Sequence, residues 1–149
     1  MGKYVGFKMV EAEPMTDIEF NVFKKCAVTE NFGGVGTEGY KVVYPDGYVS
    51  WSPKGVFEKA YLQVGENNTI TETNVHDFVK DIEYKKWGDK TTIAKALLAN
   101  GFIITESSSC VDPANFNMDI GSNICKDRIY NEMWRLLGFL LQTAKNGIK

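Results

Sequence analysis

Imidazole and thiol groups are scarce in this sequence: one histidine, His76, and three cysteines, Cys26, Cys110 and Cys125, in 149 residues. A lone histidine leaves no room for an HExxH zinc site or a Cys/His finger, and allows a Ser-His-Asp triad only through His76. That residue lies in Thr73-Asn74-Val75-His76-Asp77-Phe78, which reads as the start of an amphipathic helix, so a solvated helix histidine outweighs a catalytic one. An odd cysteine count without CxxC spacing fits a reducing compartment, the cytoplasm by default, better than a disulfide framework. No stretch approaches the about eighteen apolar residues of a membrane span, and the N-terminal residues do not have the pattern of a signal peptide. Met1-Gly2 matches a myristoylation signal only weakly, because Gly6 stands where Ser or Thr is expected. An excess of positive charge is missing as well. With 17 Lys+Arg against 19 Asp+Glu the net charge is -2, which excludes bulk capture of nucleic acid, so any anion must be gripped locally.

What is present is enough for a core. Hydrophobic residues make up 44% of the chain, aromatics 13% and charged residues 24%, outside the composition of disordered segments. The polar, turn-prone Gly65-Glu66-Asn67-Asn68-Thr69 divides two patterns, predicting a small module over residues 1–65 and a second over 70–149. In the first, Lys3 to Val10 alternates like a strand. Thr16 and Glu19 have the spacing of a capping box, opening a short helix with Ile18, Phe20, Val22 and Phe23 as apolar positions. Pro45-Asp46-Gly47 joins two strand-like runs into a hairpin, and Ser52-Pro53 has the form of an N-cap followed by proline at the first helical position.

In the second module, Val75, Phe78, Val79 and Ile82 fit a helix from about Asn74 to Trp87, stopped by Gly88-Asp89. Asn100-Gly101 signals a hairpin between Thr91–Leu98 and Phe102–Ser107. After a helix entrance at Asp112-Pro113, a long helix runs from about Asn117 to Ala144, with Ile120, Ile124, Met133, Trp134, Leu137, Leu140 and Leu141 in period. Gly121 and Gly138 invite a kink or a break. The order of elements, with no clear βαβ crossover, predicts an α+β fold of small antiparallel sheets packed with helices.

Few constellations carry chemistry. Gly34-Val35-Gly36-Thr37-Glu38-Gly39 spells G-x-G-x-x-G, but a helix-like run precedes it and a strand-like run follows, the reverse of a dinucleotide fingerprint, so a loop is favoured. Asp77 and Asp81, one helical turn apart on the predicted helix, suit a solvated face. Ser107-Ser108-Ser109-Cys110 lacks both an elbow and a base, and Cys110 reads as a small buried apolar side chain. The aromatics, Trp51, Trp87 and Trp134 among them, are expected in the core. The helix entrance remains. Asp112, Phe116 and Asn117 combine backbone amides, the positive end of a helix dipole, a side-chain amide and an aromatic face. Against this stands the simpler reading that Asp112 caps and Phe116 packs.

Residues 71 to 143 resemble the phage protein family named after gene product 49 of phage N4 and gene 66 of phage Sf6. The resemblance rests on Thr91-Thr92-Ile93, Asn100-Gly101-Phe102, Ser109-Cys110-Val111-Asp112-Pro113-Ala114-Asn115-Phe116, Ile120-Gly121 and the Trp134, Leu136, Gly138-Phe139, Leu141 pattern. Residues 39 to 61 look like a small module common in phage and prophage proteins. The family is similar to the anti-Thoeris sponges, which sequester cyclic ADP-ribose-type immune signals without cleaving them. The resemblance therefore implies a non-enzymatic homo-oligomer in the bacterial host cytoplasm, binding a cyclic nucleotide at a subunit boundary without metal or cofactor. Carried over onto this chain, the implied pocket contains Thr69, Lys95, Thr105, Asn117 and Ser122. Members often carry arginine where this sequence has Ser122 and Thr69, so charge for a phosphate falls to Lys95, Lys126 or Arg128. The rival expectation is a protein-interaction module that uses the long helix.

Overall fold

A computed structural model describes residues 1–24 and 35–149. Cys26 and Gly34 lie outside the described residues, and with them the first glycine of the G-x-G-x-x-G match. The fold is α+β: among the described residues there are two three-stranded antiparallel sheets and four α-helices, the last of them long. The chain divides into two compact units, residues 1–63 with 143–149, and residues 64–142.

In the first unit the elements are β1 (Glu11–Pro14), α1 (Asp17–Phe23), β2 (Gly39–Val43), β3 (Val49–Pro53) and α2 (Lys54–Ala60), with strand order β1-β2-β3. The predicted strand over Lys3 to Val10 is not formed; the strand is Glu11–Pro14. A strand needs a partner for its backbone, and β1 pairs from Glu11↔Val43 to Pro14↔Tyr40. Residues before Glu11 would run past the end of β2, where Tyr44 already turns into the hairpin. The hairpin itself forms as expected, with Gly47 at φ 86° and Asp46 Oδ1 accepting from the Tyr48 N–H at 3.0 Å. So does the capping box: the Thr16 hydroxyl accepts from the Glu19 N–H, and Glu19 accepts from the Thr16 N–H at 2.7 Å. Ser52 does not cap α2. It remains in register with Tyr40, Pro53 with Gly39, and the helix begins one residue later with Pro53 as the cap residue. Trp51 is half-buried, its Nε1 donating to the Met15 carbonyl at 2.7 Å.

In the second unit α3 (Glu72–Phe78) leads into β4 (Val79–Trp87), β5 (Thr91–Leu98) and β6 (Ile103–Ser109), ordered β4-β5-β6. A 3-10 turn, Pro113–Asn115, precedes α4 (Met118–Asn146). The predicted helix from Asn74 to Trp87 therefore holds only as far as Phe78. Ile82 and Tyr84 alternate inward with exposed residues between them, and β5 supplies a backbone partner from Val79↔Leu98 to Trp87↔Thr91. A ladder along the whole segment overrides a helical spacing that rested on four apolar residues. Gly88-Asp89 is still a turn, closing a hairpin rather than ending a helix. Asp77 and Asp81 consequently sit on different elements, one in α3 and one in β4.

The core of this unit lies between α4 and one face of the sheet. Ala94, Ala96, Leu98 and Ile104 meet Cys125, Ile129, Met133 and Leu137, with Val75 from α3. The buried stripe of α4 is Gly121, Cys125, Ile129, Met133 and Leu137, every fourth residue. Met133 and Leu137 of the predicted stripe belong to it, whereas Ile120 is 60% exposed and Trp134 42%, so its phase differs from the prediction at those positions. Small residues set it. A Cβ on Gly121 would lie 2.8 Å from the Cβ of Thr92 and closer still to its hydroxyl, so the helix passes β5 at a distance that only glycine allows. Gly121 does not break α4, and neither does Gly138. Trp87, 70% exposed, is likewise not a core residue.

Candidate functional site

The hairpin and the start of α4 enclose one groove. Thr92 on β5 and Ser108 on β6 are register partners on the inward face, and at the strand ends the Thr91 and Ser109 hydroxyls hydrogen-bond at 2.8 Å. Beyond Ser109 the chain is tied back: the Cys110 N–H donates to the Lys90 carbonyl at 3.0 Å, and Cys110 Sγ to the Asp112 carbonyl at 3.1 Å. Asp112 Oδ1 accepts from the Ala114 N–H at 2.9 Å, which fixes the 3-10 turn. Asp112 therefore caps that turn and not the long helix. Asn117 caps α4, its Oδ1 accepting from the Ile120 N–H at 3.0 Å. The predicted entrance thus separates into two successive caps, with Phe116 between them.

The groove has a volume of about 110 Å3. Its walls are Thr92, Ser108 and Ser109 from the sheet, Cys110, Asn115, Phe116 and Asn117 from the connection, Ile120, Gly121 and Ile124 from α4, and Lys90 from the β4–β5 turn. It combines hydroxyls, side-chain amides, one aromatic ring and two aliphatic side chains at the positive end of a 29-residue helix. Lys86 Nζ lies 4.3 Å from the centroid of the Phe116 ring, a cation held over an aromatic face. Cys110 is half-buried rather than buried.

Of the residues singled out from the sequence, Phe116 and Asn117 line the groove, and Asp112 holds the turn beside it. Lys95 and Thr105 are brought together as register partners, on the exposed face of the sheet opposite Thr92 and Ala94. Thr69 closes the turn that carries Asn67 and Asn68 in left-handed backbone, donating its hydroxyl to the Glu66 carbonyl at 2.9 Å. Ser122 is half-buried on α4 and does not line the groove. Lys126 reaches over the Tyr130 ring, 5.8 Å from its centroid. Arg128 Nη1 donates to the Ser107 carbonyl at 2.5 Å, next to the groove wall. The nine do not converge on a single cluster. Sequence reasoning passed over Lys90 and Thr92; the alternation of β5 was a signal for Thr92, whereas nothing local marked Lys90. His76 is exposed in the last turn of α3, 3.6 Å from Glu72 and against the Tyr130 ring.

Among the described residues no group of three or more His, Cys, Asp or Glu could hold a metal ion, and no helix is long and apolar enough to cross a membrane. Comparison with curated proteins and with solved structures returns no match. A family model does match, over residues 70–145, just over half of the chain and the whole of the groove. The chain belongs to the phage protein (N4 Gp49/phage Sf6 gene 66) family.

Proposed function

We propose that this phage protein binds a cyclic ADP-ribose-type or cyclic oligonucleotide immune signal and sequesters it uncleaved in the host cytoplasm, as a homo-oligomer. The observation that carries the reading is the groove at the start of α4, where Phe116 offers a ring to stack on and Asn115 and Asn117 offer amides that can read a base or ribose edge. The resemblance of the family to anti-Thoeris sponges supports the same reading. So does the chemistry of the groove's one thiol: Cys110 faces the carbonyls of Asp112 and Lys90 rather than a base. A volume near 110 Å3 is well below the roughly 300–1,000 Å3 of an enclosing ligand pocket. One copy therefore holds a ring or a phosphate, and a second copy completes the enclosure. Equilibrium dialysis against a panel of cyclic ADP-ribose isomers and cyclic di- and trinucleotides tests this. Retention of an intact panel member, lost on Phe116→Ala, is expected; a chemically altered nucleotide would overturn it.

One observation favours a second reading, docking of a protein partner along the long helix. Ile120, Ile124 and Trp134 are exposed on α4. Under it, Trp134→Ala releases a partner recovered from infected cells, while nucleotide retention is nil.

A further inference from the structure

We infer that Lys86, near the end of β4, and Lys90, in the β4–β5 turn, form the anion-holding edge of the groove, with Phe116 as the stacking platform beside them. This rests on the nucleotide-binding reading above and names the charge that serves it. The cations suggested by sequence are placed elsewhere. Lys95 is on the opposite face of the sheet, in register between Glu83 and Thr105. Lys126 lies over Tyr130, and Arg128 donates to a main-chain carbonyl. Lys90, by contrast, lines the groove, and its backbone is fixed by two hydrogen bonds from Cys110 to its carbonyl. Lys86 is the register partner of the groove-lining Thr92, and its ammonium stands over the groove-lining Phe116.

The electrostatic setting favours an anion there. Among the described residues neither lysine is in a salt bridge. The acidic groups nearby are Asp89 in the same turn, Asp112, Asp119 in the first turn of α4, and Glu106, two residues before Ser108 on the same face of β6. Of these, Asp112 holds the Ala114 N–H. Lys90 lines the groove at the positive end of α4, and the Lys86 ammonium stands over the Phe116 ring of its wall. In a chain of net charge -2 this sets two lysines without an ion-pair partner among the described residues beside an aromatic ring, matched to one phosphate joined to one base or sugar. Its small volume makes a nucleotide a better fit than a polymer. Lysine holds phosphate as a point charge on a flexible stem, so binding should weaken with salt and survive replacement by arginine.

The test is a calorimetric titration of wild type, Lys86→Ala, Lys90→Ala and Lys90→Arg at low and high salt, against the cyclic ADP-ribose isomer panel and inorganic pyrophosphate. Lys85→Ala, whose register partner Ile93 is on the outward face, serves as the control. Each alanine variant is expected to weaken panel binding about tenfold, a difference of about 1.4 kcal/mol. The loss shrinks at high salt, while Lys90→Arg and Lys85→Ala bind as wild type does. If wild type binds a panel member and both alanine variants bind it equally well, the inference fails and the nucleotide reading stands. If wild type binds no panel member, the nucleotide reading fails. Pyrophosphate then decides the lysine edge: saturable heat with wild type that is lost in both alanine variants upholds it, and no heat, or heat unchanged in those variants, overturns it.

Discussion

Glycine-to-alanine substitution should raise stability at one position of α4 and not at another. Gly138 lies inside α4 with nothing within 4 Å of an added Cβ, whereas a Cβ at Gly121 meets Thr92 at 2.8 Å from its own Cβ and closer to its hydroxyl. In an open helix interior alanine is favoured over glycine by about 1 kcal/mol, so Gly138→Ala should raise stability by that amount. The same gain applies at Gly121, but Thr92 is fully buried and its Cβ cannot rotate away. Forcing a methyl into such a contact costs about 1–3 kcal/mol. The difference between the two variants isolates the clash and should be about 1–3 kcal/mol in favour of Gly138→Ala. Urea unfolding followed by far-UV circular dichroism measures it. In a Thr92→Ala background the closest contact is gone, so the cost of Gly121→Ala should fall, with a coupling of about 0.5–3 kcal/mol. Equal stabilisation by both substitutions would refute the close approach of α4 to β5, and with it the shape of the groove.

Asn117→Ala should destabilise α4 by about 0.5–2 kcal/mol through loss of the cap to the Ile120 N–H. Asn117→Ser should keep the cap and lose only nucleotide retention, so thermal melting and dialysis of the pair separate the two roles. Cys125 is fully buried, and burial pushes its thiol up from the ordinary 9.0. A raised folded-state value means its contribution is complete below about pH 9 and is lost as pH rises through the folded value. Native protein should accordingly leave Cys125 unlabelled by a thiol reagent while half-buried Cys110 reacts, as peptide mapping would show. Glu19 is held below the ordinary 4.5 by hydrogen bonds from the Thr16 N–H and hydroxyl, at 2.7 and 2.9 Å. Its contribution is present above the unfolded value and is lost as pH falls through the folded one, so Glu19→Gln should flatten the acid side of the stability profile.

Local chemistry was legible where a few adjacent residues decide the outcome. Asp46-Gly47 and Asn100-Gly101 gave their hairpins, with Gly101 at φ 84° and Asn100 Oδ1 accepting from the Phe102 N–H at 3.0 Å. Thr16 and Glu19 gave the start of α1, and the α+β class followed from the order of elements. What the residues did not reveal depends on distant partners. Val79 to Trp87 fits a helix until β5 is there to pair with it. Gly121 reads as a weak point until Thr92 is found against it, and the phase of the α4 stripe follows from that contact rather than from where Ile120 and Trp134 fall. The groove shows the same division. Phe116 and Asn117 were visible in the entrance motif, but Lys90 enters from a turn more than twenty residues earlier, carried there by the hairpin.

The most direct measurement is calorimetric titration of the purified protein with the cyclic ADP-ribose isomer and cyclic oligonucleotide panel, followed by denaturation and mass analysis of the recovered nucleotide. Sequestration predicts saturable heat with one panel member and its recovery at unchanged mass. Recovery of a hydrolysed or rearranged nucleotide, or no heat with any of them, would contradict it.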